Sequence, residues 1–381
     1  MKTIVEMNTV DTFVEAHIAD IHFGAIDPRT QYNILTEQFI NYLDSMNVLD
    51  IVSINGDLFD HKFMANSDAI IYSIYFVQRL IDICRRKNST LILISGTESH
   101  DANQLKLFIP YMNDKTVDVR VVTHLQFVYV KGKKILCIPE EYGRGDDYYN
   151  EYLINNGGYD ACYMHGTFKG SIPMKTERDL SSSREPVFDI MDFGFCKGPI
   201  ISGHVHVSNT FNNDFYYCGS PIRYAFGEEK EKGFIILMHN IRTRQYLIHY
   251  EPIYSFRYDT VNLDNILDQN PSDIIDYINN LVSNGIDKLR VIFTQNAIEK
   301  INILKEYYKQ KPSVTIKTNF EIMKVQEKLQ TLTDNYKKYD YLFDANIPYY
   351  NKFVQYVNQQ ENSDIWTVDS FMSFMKDIEK I

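Results

Sequence analysis

Five short runs of this chain set histidine, aspartate and glycine side by side: Asp20-Ile21-His22, Gly56-Asp57, Gly96 through His100-Asp101, His165-Gly166 and Gly203-His204-Val205-His206. Carboxylate and imidazole are the donors that a hard or borderline divalent ion takes. Two of them at i and i+2 in extended chain converge on one point where the strand bends into a loop. A lone histidine is more often a satisfied core or surface residue, but five such runs in the same structural position are poorly explained that way. An aspartate shared between two ions, with further ligands on either side, is the arrangement of a two-metal phosphoesterase.

Hydrophobic spacing predicts the elements that must position these runs. Residues 13–18, 49–54 and 90–94 read as short strands, the last two as near-continuous apolar runs of the kind buried on both faces. Between them, residues 29–47 and 66–87 repeat apolar side chains at helical spacing: Ile34, Leu35, Phe39, Ile40 and Leu43, then Ile70, Ile74, Val77, Leu80, Ile81 and Cys84. That alternation predicts βαβ units and a parallel sheet, whose ligands bind beyond the carboxyl ends of the strands. Each of the five runs falls at such an end.

Hairpin-like segments follow at 127–131 with 134–138, at 200–202, 207–211 and 214–218, and at 234–239 with 245–250. A first domain is expected over residues 1–252. A strand at 256–263, a helix opened by Asn270 and Pro271, a strand at 288–294, a helix at 297–309 and a strand at 313–318 predict a smaller second domain over 253–322. Residues 323–381 read as a C-terminal tail too short for its own core and suited to docking on a partner. It is rich in aromatics (Tyr339, Tyr341, Phe343, Tyr349, Tyr350, Phe353, Tyr356) and closes on an amphipathic stretch at 368–381.

The ordered set EAHIADIHFGA, NGDLFDH, SGTESHD, MHG and SGHVH resembles the calcineurin-like metallophosphoesterases, whose pattern is D-x-H, G-D, G-N-H-D, H and G-H-x-H. Within that superfamily, H-x-x-D-x-H-x-G at 17–24 and YYCGSPIRYAFGEEKEKGF at 216–234 look like the SbcD-type DNA repair exonucleases, which work with an SbcC-type coiled-coil ABC ATPase. The likeness covers roughly residues 11–250, and the second domain is similar to the family's capping domain in element order alone. The resemblance implies an α/β fold: a two-layered β-sheet metallophosphoesterase core (αββα), a smaller α+β capping domain and a helical C-terminal tail. It also implies a metal-dependent DNA nuclease, acting as an exonuclease on duplex ends and an endonuclease on single strands, within an ATP-dependent complex of DNA repair, recombination and replication. The alternative is a stand-alone phosphatase or phosphodiesterase of the same fold, against which the basic second domain and the GSP segment speak. A scaffold with a decayed site has only the altered GTESHD loop in its favour.

Carried over residue by residue, the resemblance gives Asp20, His22 and His206 to one metal ion and His165 and His204 to the other, with Asp57 bridging them. His100 matches the family's non-ligand histidine beside the scissile phosphate and is the expected catalytic residue. Two divalent ions are implied, with Mn2+ favoured by the family, although these donors also suit iron and zinc. One loop departs from the pattern: Gly96-Thr97-Glu98-Ser99-His100 is two residues longer and lacks the Asn that precedes the histidine. Ser99 occupies the aligned position and Glu98 offers a carboxylate beside it, so both stand as candidates for the missing metal ligand. His61 and Arg223 are candidate substrate contacts, set against a solvated loop residue and the brace of a Gly-Ser-Pro turn. His17 is expected to pack or to support a ligand, and His124, His239 and His249 to have no role.

With 50 acidic against 39 basic residues the formal charge is −11, and a field of that sign repels DNA and anionic lipid. The surplus is uneven, since residues 288–340 hold eleven Lys and Arg against six Asp and Glu. Either these are solvated helix faces or they guide DNA to the metals. Five scattered cysteines without a CxxC pair read as reduced core residues. The N-terminus lacks an apolar signal region and no run of about 18 apolar residues occurs. A cytoplasmic protein is expected (host cytoplasm if viral), without membrane contact; richness in Tyr, Asn, Ile and Lys suggests an AT-rich genome. The expected partners are DNA, an SbcC-type ATPase bound by the tail, and a second copy of the chain meeting the helix at 66–87.

Overall fold

The computed structural model describes residues 12–154, 157–171, 185–212, 214–228, 230–240, 245–294, 297–318, 348–361 and 367–370. The chain divides into two compact units, residues 1–260 with 279–289 and residues 261–278 with 290–381.

In the first unit β1 (Thr12–Ile18), β2 (Ile51–Asn55), β3 (Thr90–Ile94) and β4 (Asp118–Val122) run parallel, each beside the next. A second sheet begins with β5 (Gln126–Val130), β6 (Lys133–Ile138) and β7 (Ala161–His165). After the two-residue pair β8 (Thr167–Phe168) and β9 (Val187–Phe188), it is completed by β10 (Ile200–Gly203), β11 (Asn209–Asn212) and β12 (Phe215–Tyr217). Then β13 (Gly233–Asn240) and β14 (Tyr246–Pro252) return to the first sheet as its antiparallel edge. The strand orders are β14-β13-β1-β2-β3-β4 and β11-β12-β10-β7-β6-β5.

The inner faces of the two sheets share one apolar core, in which Ile51, Ile92 and Ile94 meet Val128, Ile135, Tyr163 and Ile201. Outside the first sheet, Phe39, Phe76 and Leu80 pack with Val52 and Ile54; outside the second, Tyr149, Leu153 and Phe193 pack with Leu136 and Met164. The layers are therefore helix, sheet, sheet, helix, which accounts for the burial of every residue of β2 and β3. Asp27 caps the first helical stretch by accepting from the Thr30 N–H at 2.8 Å. It runs from Pro28 to Ser45 through a π-helical turn at Thr36–Ile40. Ser67 caps the helix Asp68–Lys87, which ends on left-handed Asn88 at φ 53°.

Hairpins at 126–130 with 133–138 and at 233–240 with 246–252 form as spacing predicts. The strand at 200–203 differs: instead of joining a hairpin, it lies parallel to both β7 and β12. Its short apolar run reads the same in either pairing, and only the packing of the two sheets selects one.

A separate three-stranded sheet takes β15 (Tyr258–Asn262), β16 (Lys288–Phe293) and β17 (Val314–Thr318) in that order, with intervening helices Pro271–Ser283 and Ile298–Tyr308. Of the tail, the helix Tyr349–Glu361 is described. Tyr339, Tyr341, Phe343 and most of the stretch at 368–381 lie outside the described residues. All five cysteines are free thiols, four of them buried. Among the described residues no helix is long and apolar enough to cross a membrane.

Candidate metal centre

The loops that leave β1 and β2 stay paired beyond the sheet. Asp20 N–H donates to the Gly56 carbonyl at 3.1 Å, His22 N–H to Asp57 at 2.9 Å and Phe23 N–H to Leu58 at 2.9 Å. Holding this register puts Asp20 (φ 52°), His22 (48°) and Asp57 (52°) in the left-handed region, where His204 also sits (86°). Aspartate and histidine tolerate that region better than most side chains, and such strain concentrates where a site must be preorganised. Gly56, at φ 85°, has no room for a side chain, since a Cβ there would lie 2.1 Å from His165 Nδ1. At Gly96 a Cβ would lie 2.2 Å from Asp57 Oδ1.

These loops bring together four groups of donors, the atoms of each lying within 4.8 Å of one another: Asp20, His22 and His206; Asp20, Asp57 and His165; Glu140, His165 and His204; and His22, Asp60 and His100. The Asp57 carboxylate stands between the histidines of the two sheets, with Oδ2 3.7 Å from His22 Nε2 and 3.3 Å from His165 Nε2. His22 Nε2 and His206 Nε2 converge to 3.0 Å. Thr97 fixes Asp57 through its N–H to Oδ1 (2.7 Å) and its hydroxyl to Oδ2 (3.2 Å).

Outer partners orient the rings. His165 Nδ1–H donates to the Asn55 carbonyl at 2.9 Å, which aims Nε2 at the cluster. Glu228 Oε1 lies 3.6 Å from His206 Nδ1, and Lys232 holds both Glu228 (3.0 Å) and the His206 carbonyl (2.8 Å). The His204 N–H donates to Asp20 Oδ1 at 2.9 Å.

Burial lowers the His22 imidazole to about 4 against the pull of Asp57 and Asp20, so it is neutral and ready to ligate. For Asp57 burial acts upward, but His165 and His22 hold the carboxyl well below the ordinary range. Burial acts downward on His165, but Asp57 and Asp20 raise it well above the ordinary imidazole value. Asp20 Oδ2, His22 Nδ1 and Glu140 Oε1 are buried without a hydrogen bond. Each such atom costs about 1–3 kcal/mol. A divalent cation fits this donor set and would complete its carboxylates: Asp20, His22, His206 and Asp57 on one side, Asp57, His165, His204 and Glu140 on the other.

The remaining candidates are placed as follows. His100 packs edge-on against His22, with ring centroids 4.6 Å apart, and its Nδ1 bonds the Asp60 carbonyl. Because that carbonyl can only accept, Nδ1 carries the proton and Nε2 remains for a substrate. Asp101 ties the loop down by accepting from the Gly96 N–H at 2.7 Å and the Phe59 N–H at 3.2 Å. Burial and the nearby Asp57 carboxylate push its carboxyl up to about 7. Glu98 and Ser99 are exposed, and Glu98 joins none of the donor groups. His61 is also exposed, 2.9 Å from Asp60 Oδ2 and stacked on Phe63. Arg223 reaches the Phe256 carbonyl at 3.4 Å, and its N–H reaches Ser255 Oγ at 3.2 Å. His17 is buried 3.2 Å from Glu15 and edge-on to Tyr163. Motif spacing misses Glu140, which follows the carboxyl end of β6, a strand parallel to β7. That position, shared with Asp57 at the end of β2, is the signal that marks it.

Comparison with known proteins gives distant relatives. The chain is 24% identical over 245 residues to the protein named "Putative phosphoesterase 078R" of Invertebrate iridescent virus 3, covering 60% of this chain and 59% of that one. It is 22% identical over 198 residues to "Putative phosphoesterase 244L" of Invertebrate iridescent virus 6, covering 50% of this chain and 65% of the relative. The chain thus spans about three-fifths of the length of the curated relatives it matches. No family model matches it. One solved structure covers 64% of this chain and all of its own at 12% identity and a TM-score of 0.35. Another, the protein of unknown function AQ665 from Aquifex aeolicus, covers 46% of this chain and 88% of its own at 15% identity and a TM-score of 0.21. Likeness at that level adds nothing to the case for a fold.

Proposed function

We propose that this chain is a metal-dependent phosphoesterase of two-metal type, acting on phosphodiester bonds of DNA. The observation that carries the reading is the Asp57 carboxylate, which faces His22 on one side and His165 on the other. The names of the viral relatives support the same class of hydrolase.

When bound, two divalent ions, Mn2+ by preference, would supply Lewis-acid chemistry, activating a water and neutralising charge on the phosphate. The chain does the rest. Asp57, held by Thr97, keeps the two donor groups in one geometry, and the neutral His22 is presented by its strained loop. His100 directs Nε2 toward the substrate, and in its doubly protonated form the Nε2–H is the proton it would give to the leaving alkoxide while Nδ1–H stays on the Asp60 carbonyl. A general acid contributes about 10² to 10⁴ in rate. The Asp60 carbonyl orients that imidazole through Nδ1–H, and Asp101 ties down the loop that carries it.

DNA as substrate, exonuclease and endonuclease action within a repair, recombination and replication complex, an SbcC-type ATPase as partner, and a homodimer through the helix Asp68–Lys87 belong to this proposal. Their support is the ordered set of motifs and the basic run at 288–340. Part of that run has work inside the fold. Lys300 Nζ caps the carbonyls of Leu267, Asp268 and Gln269 at 2.9–3.1 Å, and Lys311 stacks on Tyr307. Lys324, Lys328, Lys337 and Lys338 lie outside the described residues. Half-exposed Tyr75, beside Tyr32 and Tyr72, gives the helix Asp68–Lys87 an apolar outer patch.

The test is end-labelled duplex DNA, with p-nitrophenyl phosphate in parallel, in Mn2+ and in EDTA. Metal-dependent shortening of the DNA is the expected result. Turnover of the monoester with intact DNA would replace the nuclease by a stand-alone phosphatase.

A further inference from the structure

The loop that departs from the family pattern leaves the second ion one donor short, and both expected substitutes, Glu98 and Ser99, are exposed. Glu98 joins none of the donor groups, whereas the residue immediately after Gly96 is Thr97, whose hydroxyl enters the cluster. Thr97 Oγ1 lies 3.2 Å from Asp57 Oδ2, 3.3 Å from Glu140 Oε2 and 3.4 Å from His165 Nε2. A hydroxyl with one proton cannot serve all three partners and is a weak ligand, so it acts as a spacer between two carboxylates. The carboxylate it positions is Glu140. Glu140 Oε2 is 3.1 Å from His204 Nδ1 and 3.6 Å from His165 Nε2, while Oε1 is buried without a hydrogen bond, with the Tyr142 phenol as a neighbour.

Besides the cluster, the neutral Tyr142 phenol interacts with that carboxylate. It is 6% exposed, and no lysine or arginine pairs with it among the described residues. Its backbone is fixed as well, because the Glu140 N–H donates to the Ser95 carbonyl at 3.3 Å, joining the exit of β6 to the exit of β3. A buried carboxylate that faces two imidazoles and a neutral phenol, with no lysine or arginine beside it among the described residues, is costly unless a cation completes it.

We infer that Glu140 is the ligand of the second metal ion that replaces the missing amide, with Thr97 as its positioning residue. This rests on the two-metal reading above. The second ion would then draw Glu140, His165 and His204 from the ends of β6, β7 and β10, all of one sheet, and share Asp57 with the other sheet. A carboxylate in place of an amide carbonyl adds one negative charge, so this shell should hold a divalent ion more tightly than a neutral donor would.

The test is Mn2+ binding to the full chain, followed by titration calorimetry and by the electron paramagnetic resonance of free and bound Mn2+. The wild type is expected to bind two ions. Glu140→Gln keeps the shape and should weaken the second ion by at least ~10-fold, and Glu140→Ala by ~100-fold, taking the loss known for supporting residues as a floor. The first ion should be retained, and the double variant Glu98→Ala/Ser99→Ala should bind like the wild type. Should Glu140→Ala fail to fold, as read from its circular dichroism, Glu140→Gln carries the test alone. Two ions bound with wild-type affinity by the folded Glu140 variants would overturn the assignment and leave the two-metal reading standing. A wild type that binds fewer than two ions would overturn both.

Discussion

Asp57 Oδ2 and His165 Nε2 face each other at 3.3 Å from the ends of β2 and β7, strands of different sheets. The centre is thus assembled across the sandwich, and what keeps the two sheets in register also keeps the donors in register.

Gly56 is the narrowest point of that assembly. In Gly56→Ala the new Cβ meets His165 Nδ1 at 2.1 Å, at a φ of 85° that alanine adopts only at a cost of about 1–2 kcal/mol. The clash also breaks the bond from His165 to Asn55. The variant should fold with a lower melting temperature and show weakened Mn2+ binding by calorimetry. Wild-type affinity would mean that the His165 ring is not held as described.

Much of this centre is legible in the sequence. The strands that carry Asp20, Asp57 and His100 announce themselves as apolar runs closed by Asp or Gly, and Ile18, Asn55 and Ile94 end them in the structure. Asn270-Pro271 marks the start of the helix Pro271–Ser283 in the same way. What escapes is pairing at long range. The return of β13 to the side of β1, and the parallel placement of β10 between β7 and β12, depend on which sheet faces fit together. Local periodicity carries none of that. Glu140 is missed for the same reason, because it sits in Pro139-Glu140-Glu141 with no motif around it and acquires chemistry only when the second sheet brings it to His165 and His204.

His100 touches the donors without being grouped on Asp57, and it is expected to act on the substrate. His100→Ala should keep both Mn2+ sites and lose about 10² to 10⁴ in the rate of phosphodiester hydrolysis. Calorimetry and steady-state kinetics on one preparation separate the two effects. Full activity would remove His100 from the mechanism.

Away from the centre, Lys133 buries its ammonium against Glu15, which also accepts from the Tyr163 hydroxyl. Burial acts upward on the Glu15 carboxyl, but Lys133 and His17 bring it down to about 2, from 4.5. A carboxyl lowered on folding stabilises fully above its unfolded value and loses that contribution as pH falls toward the folded one. The stabilisation should therefore fade between pH 4.5 and about 2. Glu15→Gln strands the buried Lys133 and should cost about 3–5 kcal/mol at neutral pH. Urea titrations at pH 7 and pH 3 check this: the gap between wild type and variant should be narrower at pH 3, and an equal gap would contradict the pairing.

If residues 288–340 contact DNA, affinity must depend on salt. Each phosphate neutralised contributes about −0.9 to the slope of log affinity against log salt. With Ca2+ in place of Mn2+ to restrain cleavage, the wild type should show a slope steeper than about −2. Lys305→Glu/Lys317→Glu should flatten it by about two contacts. A flat salt dependence in the wild type would turn this run into solvated helix faces.

The most direct measurement is the turnover of bis-p-nitrophenyl phosphate by the wild type and by Asp57→Asn, each in Mn2+ and in EDTA. The wild type should hydrolyse the diester in Mn2+ alone, and Asp57→Asn should lose at least ~10² of that rate, since a charge that faces both donor groups is gone. Turnover that survives EDTA, or an Asp57→Asn variant as active as the wild type, would contradict the two-metal account.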